Sequence, residues 1–275
     1  MKISDTDVRD AFFDELYWIA KNDPDVVFLT ADMGAHSLER FKKELSRQYI
    51  NVGIAEQNMV SVASGLTLGG KKVFIYTIVP FVTLRCYEQI KIDFCCMNLP
   101  VVIVGVGVGF VYGSDGPTHH GTQDIACMRL LPEMSILNPS DAVLTKACVH
   151  IAYKNAGPTY VRIDRGRLPV IYDGKDNEFK YGLTELKKGS MLTIIASGFM
   201  VHNALKVAQD LEGRNVSTGV VDLFRIKPLN KRKLLGIISK TKHIVTLEEN
   251  SIVGGIGSMV SELLTDNKLN VALKR

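Results

Sequence analysis

The stretch Asn51-Val52-Gly53-Ile54-Ala55-Glu56-Gln57-Asn58-Met59 places a carboxylate, Glu56, at the start of an apolar helical pattern that continues to Leu66. Gly53 gives the chain a hinge just before this helix. A glutamate in the first turn of a helix is favoured by the helix dipole alone. The spacing therefore predicts a helix start at Glu56, and any chemical role of its carboxylate depends on the other motifs of the chain.

The composition is that of an ordinary globular protein: 275 residues, 46% hydrophobic and 23% charged, are enough for one or two domains. The net charge of +4 is small and the basic residues are spread out, so we expect no nucleic-acid or membrane-surface partner. The N-terminus lacks an apolar signal core, and no uninterrupted apolar run is long enough to span a bilayer. We therefore expect a cytoplasmic protein.

The cysteines indicate a reducing compartment. Their number, five, is odd, and no two of them form a C-x-x-C pair. Most stand in apolar surroundings, where free buried thiols are expected. The five positions are Cys86, Cys95, Cys96, Cys127 and Cys148.

Short apolar runs alternate with helical patterns along the chain, which is typical of α/β domains with largely parallel sheets. A helix is predicted from Pro80 to about Cys96, and Ser140 is the predicted N-cap of another. The segment 164–189 is a break in composition. We therefore predict two α/β domains, at residues 1–168 and 185–275. The predicted strands are 26–30, 73–77, 101–104, 135–137, 159–163, 192–196, 216–222, 243–247 and 270–275.

A glycine-rich loop follows the predicted strand 101–104 and ends in Asp115-Gly116-Pro117-Thr118-His119-His120. The glycines do not form a dinucleotide fingerprint, because the third glycine and the following helix are missing. Adjacent histidines rarely reach one metal ion, and no third ligand completes a set. His119 instead stands where a parallel strand ends, a position suited to acid–base work or to polarising an oxygen. For His120 we expect a structural role.

Two further features are candidates for ligand contacts. Phe81 lies at the mouth of a strand-to-helix turn, where an aromatic ring can lie against a planar ligand, although a lone aromatic is more often part of a core. Arg162, Arg165 and Arg167 come just after the last apolar run of the first domain. Arginine suits bidentate contacts with phosphate or carboxylate, and for Arg167 a solvated position is the better expectation.

Taken together, these motifs resemble the C-terminal half of transketolase, in an order and spacing that fit nearly the whole chain. The resemblance implies a pyrimidine-binding domain followed by a transketolase C-terminal domain, both α/β. It also implies thiamine diphosphate as the cofactor, held between two chains or halves. The stretches that carry it are Ala31-Asp32-Met33, Gly53–Met59, Phe81, Asp115–His119, Arg165–Pro169, Val221–Phe224 and Glu248–Asn250.

The resemblance implies a role for each matching residue, with Glu56 and His119 as the catalytic pair. Glu56 would face N1′ of the aminopyrimidine and favour the imino tautomer, whose exocyclic nitrogen takes the proton from the thiazolium carbon. Such a glutamate needs a poorly solvated site. The implied cofactor-binding residues are Asp32, Met33, Glu56 and Phe81. The implied substrate-binding residues are Asp115, His119, Arg165, Arg9 and His36, the last three at the phosphate of a sugar.

Three departures from the family pattern matter. The Gly-Asp-Gly…Asn motif that holds the diphosphate and its Mg²⁺ (or Ca²⁺) does not occur here. The resemblance therefore implies no metal ligand in this chain and a separate N-terminal transketolase subunit, in a heterotetramer, as in split transketolases. Gly107 stands where transketolases usually carry a substrate histidine, which leaves the sugar-phosphate preference open. The chain stops at Arg275, before the last helical part of the usual C-terminal domain.

The predicted function is the C-terminal subunit of a split transketolase that moves a two-carbon ketol unit between phosphorylated sugars. One alternative is the beta subunit of a 2-oxo-acid or acetoin dehydrogenase, which the Asp115–His119 run argues against. Another is half of a 1-deoxyxylulose-5-phosphate synthase, which shares that run. An alternative of a different class is a non-catalytic partner of an N-terminal section.

Overall fold

Continuous apolar runs form the buried strands of two sheets in the computed structural model, which describes residues 2–174 and 177–275. The strands are β1 (Val26–Thr30), β2 (Tyr49–Asn51), β3 (Lys72–Ile78), β4 (Val102–Val106), β5 (Ser135–Leu137), β6 (Thr159–Ile163), β7 (Thr184–Lys187), β8 (Leu192–Ala196), β9 (Thr218–Asp222), β10 (Arg225–Lys227), β11 (His243–Leu247) and β12 (Ala272–Lys274). The helices are α1 (Val8–Asn22), α2 (Leu38–Glu44), α3 (Glu56–Leu68), α4 (Val79–Val82), α5 (Tyr87–Gln89), α6 (Asp124–Leu130), α7 (Ala142–Lys154), α8 (Met200–Glu212), α9 (Lys231–Ile238) and α10 (Ile256–Asp266).

The first sheet has the strand order β10-β5-β6-β4-β3-β1-β2 and is parallel except for the β10–β5 pair. Every residue of β1, β4 and β6 is buried, as expected for central parallel strands that helices cover on both faces. Helices α1, α2 and α7 pack on one face, and α3 and α6 pack on the other. Because β1, β3, β4 and β6 all run in the same direction, their carboxyl ends share one edge of the sheet.

The second sheet has the order β12-β11-β8-β9-β7 and is parallel except for the β7–β9 pair. Strand β10 follows β9 in the chain but joins the first sheet, where Arg225 pairs with Leu137. The two sheets are therefore connected by main-chain hydrogen bonds as well as by the linker. The fold is the predicted α/β class with largely parallel sheets. The domain limits 1–168 and 185–275 stay a prediction, and the predicted linker 164–189 contains residues 175 and 176, which lie outside the described residues.

Two local predictions are wrong. The single helix expected from Pro80 to Cys96 is three pieces, α4, α5 and a π-helix at Ile90–Cys96. The amide of Arg85 donates to the carbonyl of Pro80 across a wide turn, and the Thr83 hydroxyl bonds back to the Val79 carbonyl, so the regular helical ladder is interrupted.

The N-cap of α7 is Asp141 instead of the expected Ser140. The Asp141 carboxylate accepts a hydrogen bond from the Leu144 amide at 2.8 Å. The Ser140 hydroxyl is used elsewhere, because it donates to the buried carboxylate of Asp222 at 2.5 Å. A side chain with a tertiary partner is not available to cap its own helix.

Candidate active site

The residues predicted to bind ligands follow strands that end level with one another. Ile78, Val106 and Ile163 are register partners at the ends of β3, β4 and β6. Phe81 follows the first of these strands, the glycine-rich loop follows the second, and Arg165 follows the third. The sheet therefore brings together side chains that are far apart in sequence, at the edge where open α/β sheets bind ligands.

Glu56 is the first residue of α3, and its side chain is buried, with 3% of the residue exposed. Its Oε2 lies 2.8 Å from Nη1 of Arg85, whose side chain is 43% exposed. The same guanidinium lies over the ring of Phe81, with its Cζ 4.1 Å from the ring centroid. Gln57 donates to the Arg85 carbonyl at 3.0 Å and holds this turn against α3. Arg85 thus joins two residues that the sequence predicts at a cofactor site.

The contacts continue from Phe81 to the glycine-rich loop. The ring of Phe81 meets the imidazole of His119 edge-on, with the centroids 5.0 Å apart. His119 in turn lies 6.1 Å from the ring of Tyr112, and its Nδ1 is 3.0 Å from the Thr118 hydroxyl. The guanidinium of Arg165 lies 5.4 Å from the centroid of the Tyr112 ring. We call this series of contacts the site row, which consists of Glu56, Arg85, Phe81, His119, Tyr112 and Arg165.

Asp7 fixes the arginine end of the site row. Its carboxylate caps α1 by accepting from the Arg9 amide at 2.8 Å, and it also accepts from the Gly166 amide at 2.8 Å. The start of α1 is therefore tied to the loop that carries Arg165. The Arg9 side chain is 12% exposed, and its Nη2 lies 3.7 Å from the Asp10 carboxylate.

Asn51 positions the residues that follow β1. Its amide group donates to the Asp32 carboxylate at 3.1 Å, and its Oδ1 accepts from the amides of Asp32 and Gly53 at 3.0 Å each. Asp32 has a φ of +52° and is exposed. Met33 is half-buried, and its main chain bonds to the Thr30 hydroxyl. Asn51 thus links the predicted bracing residues to the segment that leads into Glu56.

Other residues that the sequence singled out lie at the edge of the site row or outside it. Asp115 is exposed in a 3₁₀ turn at Gly113–Asp115, and its amide donates to the Tyr112 carbonyl at 3.1 Å. His36 is exposed, and among the described residues no hydrogen bond or ring contact joins its imidazole to the site row. The ring of His120 packs on Phe110, and its Nε2 lies 3.4 Å from the Gly113 carbonyl.

The expectation that three arginines follow the last strand of the first domain is wrong for Arg162. It lies within β6 and is buried, with its Nε 2.7 Å from the Asp124 carboxylate. Its Nη2 donates at 3.0 Å to the carbonyls of Gly121 and Glu249. Arg162 therefore connects the glycine-rich loop to the second domain and is committed to these partners. Arg165 and Arg167 are exposed, as predicted for residues after the strand.

Burial perturbs two carboxyl groups close to this connection. It raises the pKa of Asp164 to about 6, against the opposing effects of Arg162 and of a hydrogen bond from the Phe199 amide. Burial also raises the pKa of Glu249, and Arg162 opposes that shift. Both groups lie where the second domain meets the carboxyl edge of the first sheet.

Two residues of the site row were not predicted from the sequence: Arg85 and Tyr112. Arg85 could have been suspected because it stands four residues after Phe81, close to one helical turn. Tyr112 gives no such signal, since its position depends on how the glycine-rich loop folds back. Among the side chains that the structure describes, no three of His, Cys, Asp or Glu are grouped to hold a metal ion, and no helix in the described part of the chain is long and apolar enough to cross a membrane.

Two known protein families match the chain, one in its first part and one in its second part. The family described as "Transketolase, pyrimidine binding domain" matches residues 4–170, and "Transketolase, C-terminal domain" matches residues 182–275. The chain belongs to the transketolase family.

Individual relatives are similar over almost the whole chain. A subunit of the apulose-4-phosphate transketolase from Phocaeicola vulgatus is 38% identical, over 96% of this chain and 86% of that protein. A 6-deoxy-6-sulfo-D-fructose transketolase subunit from a Clostridium species is 34% identical, over 97% and 83%. The solved structure of a "Split gene transketolase, inactive beta4 tetramer" is 33% identical and superposes with a TM-score of 0.89, over 98% of this chain and 88% of that one. Transketolase similarity therefore extends across both domains.

Proposed function

We propose that this chain is the C-terminal subunit of a thiamine-diphosphate-dependent transketolase. It would transfer a two-carbon ketol unit between phosphorylated sugars and act only together with a separate N-terminal subunit. The observation that carries the proposal is the site row, which runs from a buried carboxylate through an aromatic ring and a histidine to an arginine. The site row thus has a cofactor end and an anion end.

The residues at the Glu56 end fit an aminopyrimidine. Glu56 is buried at the start of α3, where its carboxyl group can form a hydrogen bond with a ring nitrogen out of contact with bulk water. Phe81 is half-buried and offers a ring face for stacking, while Met33, with Asp32 beside it, would brace the cofactor. Thiamine diphosphate, when bound, supplies the electron sink that cleavage of a carbon–carbon bond beside a carbonyl requires.

The residues farther along the site row fit a sugar. We assign His119 to proton transfer at the substrate oxygens, because its imidazole adjoins Phe81 and its Nδ1 has the Thr118 hydroxyl as a neighbour. Asp115 is assigned to the sugar hydroxyls. Arg165 and Arg9, with His36 at the margin, are assigned to the phosphate.

A partner chain would complete the site. Two large apolar side chains beside the Glu56–Arg85 pair are exposed, Ile54 by 79% and Leu84 by 42%, as expected for a surface that another chain covers. Among the described residues no carboxylate cluster is placed to hold a diphosphate-bound metal ion. We therefore assign the diphosphate and its Mg²⁺ (or Ca²⁺) to the N-terminal subunit, in a heterotetramer. Both relatives described above are themselves transketolase subunits, and the similar solved structure is of a split-gene transketolase, which supports this division.

The experiment is a reconstitution. The chain is co-expressed with its N-terminal subunit, and ketol transfer from a ketose phosphate to an aldose phosphate is measured with thiamine diphosphate and Mg²⁺. We expect transfer by the mixture and none by either chain alone. Use of pyruvate as donor instead would support a 1-deoxyxylulose-5-phosphate synthase, although the chain spans only 42% of the length of such a relative. Cofactor binding by the mixture without turnover would support a non-catalytic partner.

A further inference from the structure

The main chain of Arg85 is fixed on both sides by hydrogen bonds. Its amide donates to the Pro80 carbonyl at 3.2 Å, and its carbonyl accepts from the side chain of Gln57 at 3.0 Å. The next residue, Cys86, is fully buried, and its thiol donates to the Phe81 carbonyl at 3.2 Å. These bonds join the turn after α4 to the first turn of α3. The side chain of Arg85 therefore starts from a set position beside the cofactor end of the site row.

The side chain of Arg85 closes over this end from the solvent side. It is 43% exposed, whereas the side chain of Glu56 is only 4% exposed. Its guanidinium pairs with the Glu56 carboxylate at 2.8 Å, and its Cζ lies 4.1 Å from the centroid of the Phe81 ring. One planar cation therefore contacts the carboxylate and the aromatic ring together and sets the spacing between them.

The orientation of the Glu56 carboxylate depends on this contact. Among the described residues, Arg85 is the only cation within 4.0 Å of that carboxylate. Helix α3 begins at Glu56 and has no side-chain cap at Ala55. A buried carboxylate is costly unless a partner compensates its lost hydration. Arg85 supplies that compensation, and it does so from one fixed direction.

We propose that Arg85 is a positioning residue for the pyrimidine half of the cofactor. It holds the Glu56 carboxylate and the Phe81 ring so that a flat ring can stack on Phe81 and bond to Glu56 through a ring nitrogen at the same time. A carboxylate offers about four lone-pair sites, so Glu56 can accept from a ligand while it stays paired with Arg85. This inference rests on the proposed function for the identity of the cofactor.

Arginine suits this role better than lysine does. A guanidinium is planar, so it can lie on an aromatic face while its N–H groups point at a carboxylate. Lysine at residue 85 would keep the charge and lose the flat contact with Phe81. Methionine would keep an unbranched apolar side chain and lose the charge as well. The two replacements should therefore weaken cofactor binding to different extents, Arg85→Met more than Arg85→Lys.

The test is calorimetric titration with thiamine diphosphate, in the presence of Mg²⁺, of the chain assembled with its N-terminal subunit. We expect Arg85→Met to raise the Kd of the cofactor about tenfold, the effect of loosening one hydrogen bond to a charged group. Arg85→Lys should give a smaller rise. In steady-state kinetics the KM for thiamine diphosphate should rise by the same factor, while the KM values for both sugars stay at the wild-type level.

A double-variant cycle separates positioning from a general loss of structure. If Arg85 acts through the carboxylate, Arg85→Met should raise the Kd by less than about threefold when Glu56→Gln is already present. A purely structural role would weaken binding by the same factor in both backgrounds. Equal factors, or a Kd of Arg85→Met that equals the wild-type value, would overturn the proposal.

Arg40→Met is the matched control. The side chain of Arg40 is 42% exposed, its Nε lies 3.5 Å from the Glu44 carboxylate, and its Cζ lies 3.6 Å from the centroid of the Tyr17 ring. It therefore makes the same two kinds of contact as Arg85, away from the site row. Its Kd for thiamine diphosphate should equal that of the wild type, and a rise equal to that of Arg85→Met would contradict a specific role for Arg85.

The titration also distinguishes this proposal from the proposed function. Cofactor binding that depends on Arg85 supports the positioning role even if the assembled enzyme transfers no ketol unit. Ketol transfer with a Kd that Arg85→Met leaves unchanged refutes the positioning role and leaves the proposed function intact. No binding of thiamine diphosphate by the wild-type assembly would refute both.

Discussion

Arg85 shows at the scale of one residue how a buried carboxylate is kept at the start of α3. Glu56 would be costly to bury alone, since an ionised carboxylate loses its hydration. Arg85 supplies a charge at 2.8 Å and remains 43% exposed, so the pair is only partly withdrawn from water. The cation also covers one face of Phe81. The contacts of Arg85 therefore stabilise both residues of the proposed cofactor end.

Replacing Arg85 by Met should reduce the stability of the folded chain. The expected loss is about 1–3 kcal/mol, because the substitution leaves the buried Glu56 carboxylate without its partner, and Tm should fall by roughly 2–4 °C for each kcal/mol lost. Thermal unfolding of Arg85→Met, Glu56→Gln and the double variant measures the coupling. The double variant should be less destabilised than the sum of the single variants. Strict additivity would show that the ion pair contributes nothing.

Asp222 gives a pH-dependent prediction. Its carboxylate is fully buried at the end of β9 and accepts hydrogen bonds from Ser140 at 2.5 Å and Tyr172 at 2.8 Å. Burial nevertheless raises its pKa to about 7, well above the value of about 3.9 in an unfolded chain. The folded state therefore binds the proton more tightly, and the stability that this adds below pH 4 is lost as the pH rises through 7.

Asp222→Asn should remove that part of the pH dependence. At pH 5 the variant should exceed the wild type in stability by less than at pH 8, because Asp222 is then still protonated in the fold and only the unfolded chain is ionised at this position. At pH 8 the variant should be the more stable, since it buries no charge. Thermal unfolding between pH 5 and pH 8 measures the difference. A difference that does not change with pH would contradict the assigned protonation of Asp222.

At the scale of elements, two aspartates each cap a helix and also bind main-chain amides that follow β6. Asp7 caps α1 and accepts from the Gly166 amide. Asp141 caps α7 and accepts from the amides of Ile171 and Tyr172. Each carboxylate ties a helix start to the chain that follows β6, but only Asp7 holds the loop of Arg165. Substitutions at Asp141 should therefore affect only the stability of the fold, whereas substitutions at Asp7 should also affect the position of Arg165.

Asp7→Ala should cost about 1 kcal/mol, the usual effect of losing an N-cap. Asp141→Ala should cost more, because its buried carboxylate also accepts from the Ile171 and Tyr172 amides, which lose their partner. Asp7→Ala alone should also raise KM for an anionic acceptor, because the Arg165 loop loses its link to α1. Chemical unfolding and steady-state kinetics of the assembled enzyme measure the two effects. Equal KM values for both variants would show that Asp7 does not position Arg165.

The elements show what the sequence could predict and what it could not. Strands such as β4 and β6 were predictable because they are buried on both faces and read as unbroken apolar runs. The three-residue strand β10 was not, since it is too short for a pattern and its partner β5 lies in the other domain. The break of the helix after Phe81 was missed because it depends on local side-chain bonds and on the pairing of Arg85 with Glu56.

The candidate site, like the fold, was predictable only in part from the sequence. Glu56, Phe81, His119 and Arg165 follow from motifs and from the rule that parallel strands end at one edge. Tyr112 was not predictable, because its place depends on the open space above Gly107. Arg162 was misplaced because a charged residue in a buried strand is unusual without a partner, and Asp124 is 38 positions away in the chain.

At the scale of the whole molecule, the two domains are joined around the proposed site. Arg162 donates to Gly121 in the glycine-rich loop and to Glu249 in the second domain. Strand β10 adds a main-chain connection between the two sheets. These contacts hold the loop that carries His119 in place within one chain, whereas Ile54 and Leu84 beside Glu56 are exposed. They lie at the surface that we propose the N-terminal subunit covers.

The most direct test of this account is the initial rate of ketol transfer at saturating thiamine diphosphate and Mg²⁺. It is measured for the wild-type chain alone, for the chain mixed with its N-terminal subunit, and for the same mixture carrying Glu56→Gln. We expect activity only in the wild-type mixture, with kcat in the Glu56→Gln mixture lower by about 100-fold or more. Turnover by the chain alone, or wild-type turnover by the Glu56→Gln mixture, would contradict it.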